Sequence, residues 1–244
     1  MRAITKVLTA ATAVGLAATM AACSSSGSSG GSGNTGGSQP TSKTPTTSSA
    51  PTTSAAPKPV GAFKTLTKGT TTVVPAKSFT SALSSLGVKL GLEGKAKMTS
   101  QGIAFPITGG NATIYKKGTV TPYVQGVVKH NGSGLTLSAG GTTVALENFV
   151  INPGNNSNLT GKVLVNGKQA FPAGTKLFDL DGNTLKTPTI SGGYATLQGT
   201  TIYVSQAAAG ALNKVFKLAG TKKALPTGFE KIEVGTAIIH VTGK

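Results

Sequence analysis

The sequence predicts an all-β domain, an antiparallel β-sandwich or curled sheet with two short helices, and three observations carry that expectation. Glycine is abundant, at 34 of 244 residues, and β-branched residues dominate the short alternating runs between glycines. Turn signals separate those runs at Gly109-Gly110, Asn131-Gly132, Gly140-Gly141, Asn166-Gly167, Asp181-Gly182 and Gly192-Gly193. Only two stretches, near 78–86 and 205–217, change to helical spacing. The rhythm suits a sandwich or a curled sheet.

The chain opens MRAITKVLTAATAVGLAATMAAC, with Arg2 and Lys6 before an apolar stretch from Val7 to Met20 and small residues before Cys23. Basic, apolar and small segments in that order are an export signal, expected over 1–22. The apolar stretch falls short of the roughly 20 strongly apolar residues that a membrane span requires. Cys23 is the only cysteine. Its setting resembles the bacterial lipobox, in which the thiol receives a diacylglyceryl group and the leader is cut just before it, although Met20 stands where the pattern prefers Leu. The resemblance implies lipidation of Cys23 and a position on the outer face of the plasma membrane. The other reading is a secreted protein with one unpaired thiol, a liability in an oxidising compartment.

Residues 23–60 follow as a tether. The segment is almost wholly Ser, Gly, Thr, Pro, Ala, Asn and Gln, with Lys43 and Lys58 its only charges. It carries too little apolar surface to offset the entropy of ordering. An anchor followed by such a stalk resembles lipoproteins of Gram-positive bacteria, actinobacteria above all.

The folded domain is expected over 61–244. Strands are predicted at 71–75, 95–98, 102–107, 112–115, 119–129, 134–139, 142–151, 159–165, 175–180, 185–190, 194–204 and 232–241. In the first helical stretch Ser78 is suited to capping, and Phe79, Leu83 and Leu86 share a face. In the second, Ser205 caps, and Ala208, Leu212, Val215 and Phe216 recur at helical spacing.

Charge narrows the partners. Arg2 and Lys6 fall in the leader, so 21 of the 23 basic residues remain against six acids, a net of +15, and all 21 are lysines. Without arginine, bidentate recognition of phosphate or carboxylate is absent, whereas diffuse attraction to anionic cell-wall polymer or lipid headgroups stays open. Aromatic residues are few and Trp is absent, which argues against a nucleic-acid partner.

Catalytic motifs are equally sparse, so no enzyme is expected. No nucleophile elbow, P-loop or H-E-x-x-H occurs. The close carboxylates of LFDLDGN, Asp179 and Asp181, are no calcium loop, since Thr184 and Ile190 stand where such a loop needs Gly and Glu. They read as a strand entering a turn.

From Phe79 to Asn166 the order of features resembles the HtaA-type domain of actinobacterial surface haem-uptake proteins. The matching pieces are SFTSAL at 78–83, FPITGG at 105–110, VVKHNGSGLTL at 127–137, LENFVINPG at 146–154 and LTGKVLVNG at 159–167. The resemblance implies a haem-binding fold in which a tyrosine of the helical segment binds iron and a hairpin histidine lies close by. The histidine matches His130, but the tyrosine position falls on Ala82, which has no donor atom. Candidate ligand-binding residues are therefore His130, Phe79 and Tyr123, with Tyr115, Tyr194 and Tyr203 as other phenols, and haem or another small amphipathic molecule as the ligand. His130 has two readings: a group that binds or tunes a ligand, or a residue closing a strand before the Asn131-Gly132 hairpin. His240, within IIHV, reads as an ordinary sheet position. The function implied is a lipid-anchored extracytoplasmic binding protein; the alternative is a non-catalytic envelope module with a lysine-rich surface.

Overall fold

A computed structural model of the chain describes residues 55–228 and 231–244. The leader, Cys23 and the tether as far as residue 54 lie outside the described residues. Residues 55–60 are exposed and have no regular structure.

Strands β1 (Gly61–Phe63) and β2 (Leu66–Pro75) lead into helix α1 (Lys77–Leu86). Then come β3 (Lys89–Gly94), β4 (Lys97–Thr99), β5 (Gly102–Pro106), β6 (Gly109–Ile114) and the long β7 (Val124–Ala139). β8 (Thr142–Asn152), β9 (Asn158–Val165), β10 (Lys168–Gln169) and β11 (Thr175–Asp181) follow, with a 3-10 turn over Gly182–Thr184. The chain closes with β12 (Thr189–Ser191), β13 (Tyr194–Val204), helix α2 (Gln206–Val215) and β14 (Glu233–Gly243).

These strands form one antiparallel sheet in the order β1-β6-β7-β8-β9-β11-β13-β14-β2-β5-β4, with β10, β12 and β3 added on β9, β13 and β7. The outer strands β1 and β4 are not paired with each other, so the sheet is curled rather than closed. Its curl comes from one run of chain. β5 pairs with β2 near one end of the order, and β6, two residues later, pairs with β7 near the other. Between them the Ile107 amide donates to the Gly69 carbonyl at 2.9 Å and the Thr108 amide to the Lys129 carbonyl at 2.8 Å, so the partner changes within two residues. Pro106 has no amide to give at that corner. Gly110 has a φ of 121° and lies so close to β7 that a Cβ would overlap the Val127 carbonyl. The buried core, including Phe63, Ile103, Phe105, Ile114, Phe149 and Leu177, lines the inside of the curl.

Three two-residue turns behave as their sequences predict. Gly140-Gly141, Asn166-Gly167 and Gly192-Gly193 each place both residues at positive φ and join β7 to β8, β9 to β10 and β12 to β13. Asn131-Gly132 does not. β7 runs through it without reversing, and residues 131–133 face the single residue Asn148 as a bulge between the pairs His130↔Phe149 and Gly134↔Glu147. The reason is tertiary. β8 pairs with β7 on both sides of the bulge, while the other neighbour changes from β6 to β3, which begins at Gly94↔Ser133. Polar contacts hold the bulge: the Gly132 amide donates to Asn148 Oδ1 at 2.7 Å and the Asn131 amide to Thr108 Oγ1 at 2.9 Å.

Other boundaries shift as well. Residues 119–123 precede β7, 185–188 are irregular, Gly109-Gly110 opens β6 instead of turning, and the strand expected at 95–98 is replaced by β3 and β4. Both helices form. Ser205 caps α2, its hydroxyl oxygen accepting from the Ala208 amide at 3.1 Å. α1 begins one residue before Ser78, with Ala76 at the cap and no side-chain bond there. Gly87, at φ 68°, and Val88 close it by donating to the Ser84 and Leu83 carbonyls.

Candidate ligand-binding site

His130 is not on a hairpin tip. It sits inside β7 with 1% of its surface exposed. One imidazole nitrogen, Nδ1, lies 3.3 Å from the Phe149 carbonyl oxygen, which can only accept, so Nδ1 carries the proton. Nε2 is then the acceptor, and the Thr71 hydroxyl donates to it at 2.8 Å. Burial lowers the pKa from 6.5 to about 4, against the Phe149 hydrogen bond, which raises it. The ring is therefore neutral at neutral pH.

The contact with Thr71 spans the corner of the curl. Thr71 on β2 is the register partner of Phe105 on β5, and Phe105 meets His130 edge-on at 6.5 Å and Phe149 at 5.4 Å between ring centroids. His130 thus ties β7 to β2 across the place where β5 gives way to β6.

One side of this cluster faces a cavity of about 500 Å³ inside the curl. Phe79 of α1, Tyr123 before β7, and His130 all line it, so the three sequence candidates stand around one space. The deeper wall is apolar, with Val73, Phe149, Phe178 and Ile239 among its side chains, and the polar residues include Asn155, Asp181, Asn183 and Lys231. Asn155, Asn183 and Lys231 are exposed, so polarity gathers at the mouth. Such a shape, apolar with a few polar groups at one end, is that of a small-molecule site.

The remaining candidates divide. Tyr203 lines the cavity with Lys231 Nζ 5.3 Å from its ring centroid. Tyr194 is 62% exposed, and neither it nor Tyr115 lines the space. The Tyr123 hydroxyl reaches the Leu185 carbonyl only at 3.5 Å, and burial raises its pKa, which keeps it a phenol. His240 is exposed on β14 and shares a hydrogen bond with Thr196 at 3.0 Å. Asp179 is paired with Lys176 at 2.6 Å, and Asp181 accepts from the Asn183 amide at 2.9 Å, so neither carboxylate is a free metal donor. No group of three His, Cys, Asp or Glu side chains suited to a metal ion occurs among the described residues. Thr71, Phe105 and Phe149 complete the cluster; Phe105 and Phe149 lie in the motifs FPITGG and LENFVINPG, but their meeting with Thr71 and His130 depends on strands far apart in sequence.

Neither His130 nor Tyr123 offers haem iron a free donor. Both His130 nitrogens are engaged inside the protein, burial holds Tyr123 as the neutral phenol, and Ala82 lines a neighbouring apolar void rather than this cavity; Tyr203, beside Lys231, is a further phenol on the cavity wall. The space is compatible with an apolar or amphipathic molecule whose polar end remains at the mouth.

No protein-family model matches the chain. No curated protein matches it either. Among solved structures the chain is similar to the C-terminal domain of HtaA from Corynebacterium glutamicum, at 13% identity and a TM-score of 0.48, covering 73% of this chain and 98% of that one. It is also similar to the N-terminal domain of the same protein, at 13% identity and a TM-score of 0.46, with the same coverage of 73% and 98%. A domain-swapped dimeric variant of the C-terminal domain aligns at 14% identity with a TM-score of 0.43, covering 68% of this chain and 91% of that one.

Proposed function

We infer that this protein is a non-catalytic binding module that holds a small amphipathic molecule inside its curled sheet, tethered to the outer face of the plasma membrane through Cys23. The observation that carries the reading is the cavity of about 500 Å³ that gathers Phe79, Tyr123 and His130 beneath a polar mouth. His130 acts as the brace of that wall, since its two hydrogen bonds fix Phe149 and Thr71. Haem, which the sequence resemblance implies, would enter as an amphipathic guest without ligation by His130.

Titration of the full chain with a naphthalene-sulfonate dye and with hemin tests this. Saturable dye fluorescence is expected, and hemin, if bound, should show a Soret band that His130→Gln leaves in place. Absence of saturable binding of any apolar probe would overturn the reading. The anchor is tested separately: Cys23→Ser should abolish incorporation of labelled palmitate and release the protein from membranes.

One observation favours a second reading, an envelope module that contacts anionic polymer. Among the described residues, ion pairs engage only Lys162, with Glu147, and Lys176, with Asp179. Retention on isolated cell wall that disappears at high salt would support it, because exposed charges are screened within about 10 Å at 0.1 M salt.

A further inference from the structure

The cavity has a neighbour on its inner side. A second void of about 180 Å³ lies under both helices, lined by Ala82, Leu83 and Leu86 of α1 and by Ala208, Ala211 and Leu212 of α2. Phe79, Leu90, Leu135, Phe178 and Val234 line both spaces, so the two voids are neighbours that share part of their walls. Among the described residues, Thr175 is the only polar one around the inner void. No residue of α1 is fully buried, although Phe79, Leu83 and Leu86 pack against the core. Native interiors hold few voids larger than a water molecule, and an apolar void left empty is costly to a fold.

We propose that the two spaces form one site for a single long acyl chain, whose polar head stays at the mouth beside Asn155, Asn183 and Lys231 and whose tail passes Phe79 and Phe178 into the void beneath the helices. This rests on the binding function above and names its ligand class. The inner void suits hydrocarbon, since among the described residues no side chain there except Thr175 can pair with a polar group. It is also too small for a flat macrocycle, while a chain end needs little cross-section. The mouth offers Lys231 as a cation and the amides of Asn155 and Asn183, with the Asp181 carboxylate among them, so a carboxylate head must sit at Lys231 and away from Asp181, whereas a zwitterionic head can meet both charges. A free fatty acid and a lysophospholipid share the chain that the site would recognise.

The test is a series of saturated carboxylates from octanoate to octadecanoate, competed against the naphthalene-sulfonate dye on the full chain. Affinity should rise about fourfold for each added methylene and then level off, as expected when each buried CH₂ contributes about 0.8 kcal/mol. Ala82→Phe and Ala211→Phe fill the inner void, so in each the ratio of hexadecanoate to octanoate affinity should fall at least about tenfold. The ratio is read within one variant, and the unmodified chain's series stands even if a variant does not fold. A palmitoyl lysophospholipid that competes as well as hexadecanoate would assign recognition to the chain. If only the free acid competes, Lys231 reads the head, and Lys231→Gln should remove that preference. Affinity independent of chain length, or ratios unchanged in both folded variants, would overturn the acyl-chain assignment while leaving the cavity's binding function intact. Failure of dye, hemin and octanoate alike would instead overturn that function.

Discussion

At the scale of single residues, His130 shows how far burial redirects an imidazole. A histidine in contact with solvent shares a proton with water near pH 6.5, but here a carbonyl and a hydroxyl occupy both nitrogens in an apolar wall. Its folded pKa, about 4, lies below the unfolded value of 6.5. Between those two values the unfolded chain binds the proton more readily, so this contribution to stability is complete above pH 6.5 and is lost as pH falls towards 4. The shift corresponds to about 3 kcal/mol at most. Denaturant melts of the full chain should therefore show stability falling from pH 7 to pH 4.5, and His130→Gln should flatten that slope. Thr71→Val keeps the shape but removes the donor to Nε2, and should cost about 1–3 kcal/mol in the same melts at pH 7. An unchanged midpoint would refute the brace. The sequence located His130 within a motif but not its partners, since Thr71 is 59 residues away.

Among the elements, local chemistry and tertiary pairing divide the outcome. α2 follows its sequence: Ser205 is buried, its oxygen receives the Ala208 amide, and its hydroxyl donates to the Lys176 carbonyl at 3.0 Å. Ser205→Ala should lower stability by about 1–2 kcal/mol, read as a shift in the thermal midpoint, because it removes a cap and the hydroxyl that donates to the Lys176 carbonyl. A loss no greater than that of a surface serine would show that the cap contributes nothing. β7 departs from its sequence. Asn-Gly satisfies a tight turn and a bulge equally well, because both need a residue that tolerates positive φ, and pairing with β8 on both sides selects the bulge. Gly109-Gly110 likewise opens a strand because β5 and β6 must change partners there.

At the level of the whole molecule, the curl and the helices leave open space beside the buried core. Ligand that binds only the folded state stabilises it, by about 2.7 kcal/mol at a hundredfold excess over Kd. For a domain of this size that is roughly a 5–10 °C rise in thermal midpoint. Dodecanoate or hexadecanoate at such an excess should produce it, and a midpoint that ignores both would count against an interior site. No helix among the described residues is long and apolar enough to cross a membrane.

What the sequence determined by itself is whatever short-range chemistry can specify: the all-β class, both helices, three glycine-rich turns, the absence of arginine after Arg2, and the leader, cysteine and tether as expectations. Phe79 and His130 could be named because a run of motifs kept its order, and Tyr123 as one of four tyrosines in the chain. Only the tertiary structure decided that the three surround one cavity, that His130 is buried and braced by Thr71, and that Asn131-Gly132 is a bulge. Each of these depends on strands distant in sequence becoming neighbours when the sheet curls, and no local pattern encodes which strand will lie alongside. The same holds for the void beneath the helices: the apolar faces of α1 and α2 were legible, but the space between them and the sheet belongs to neither.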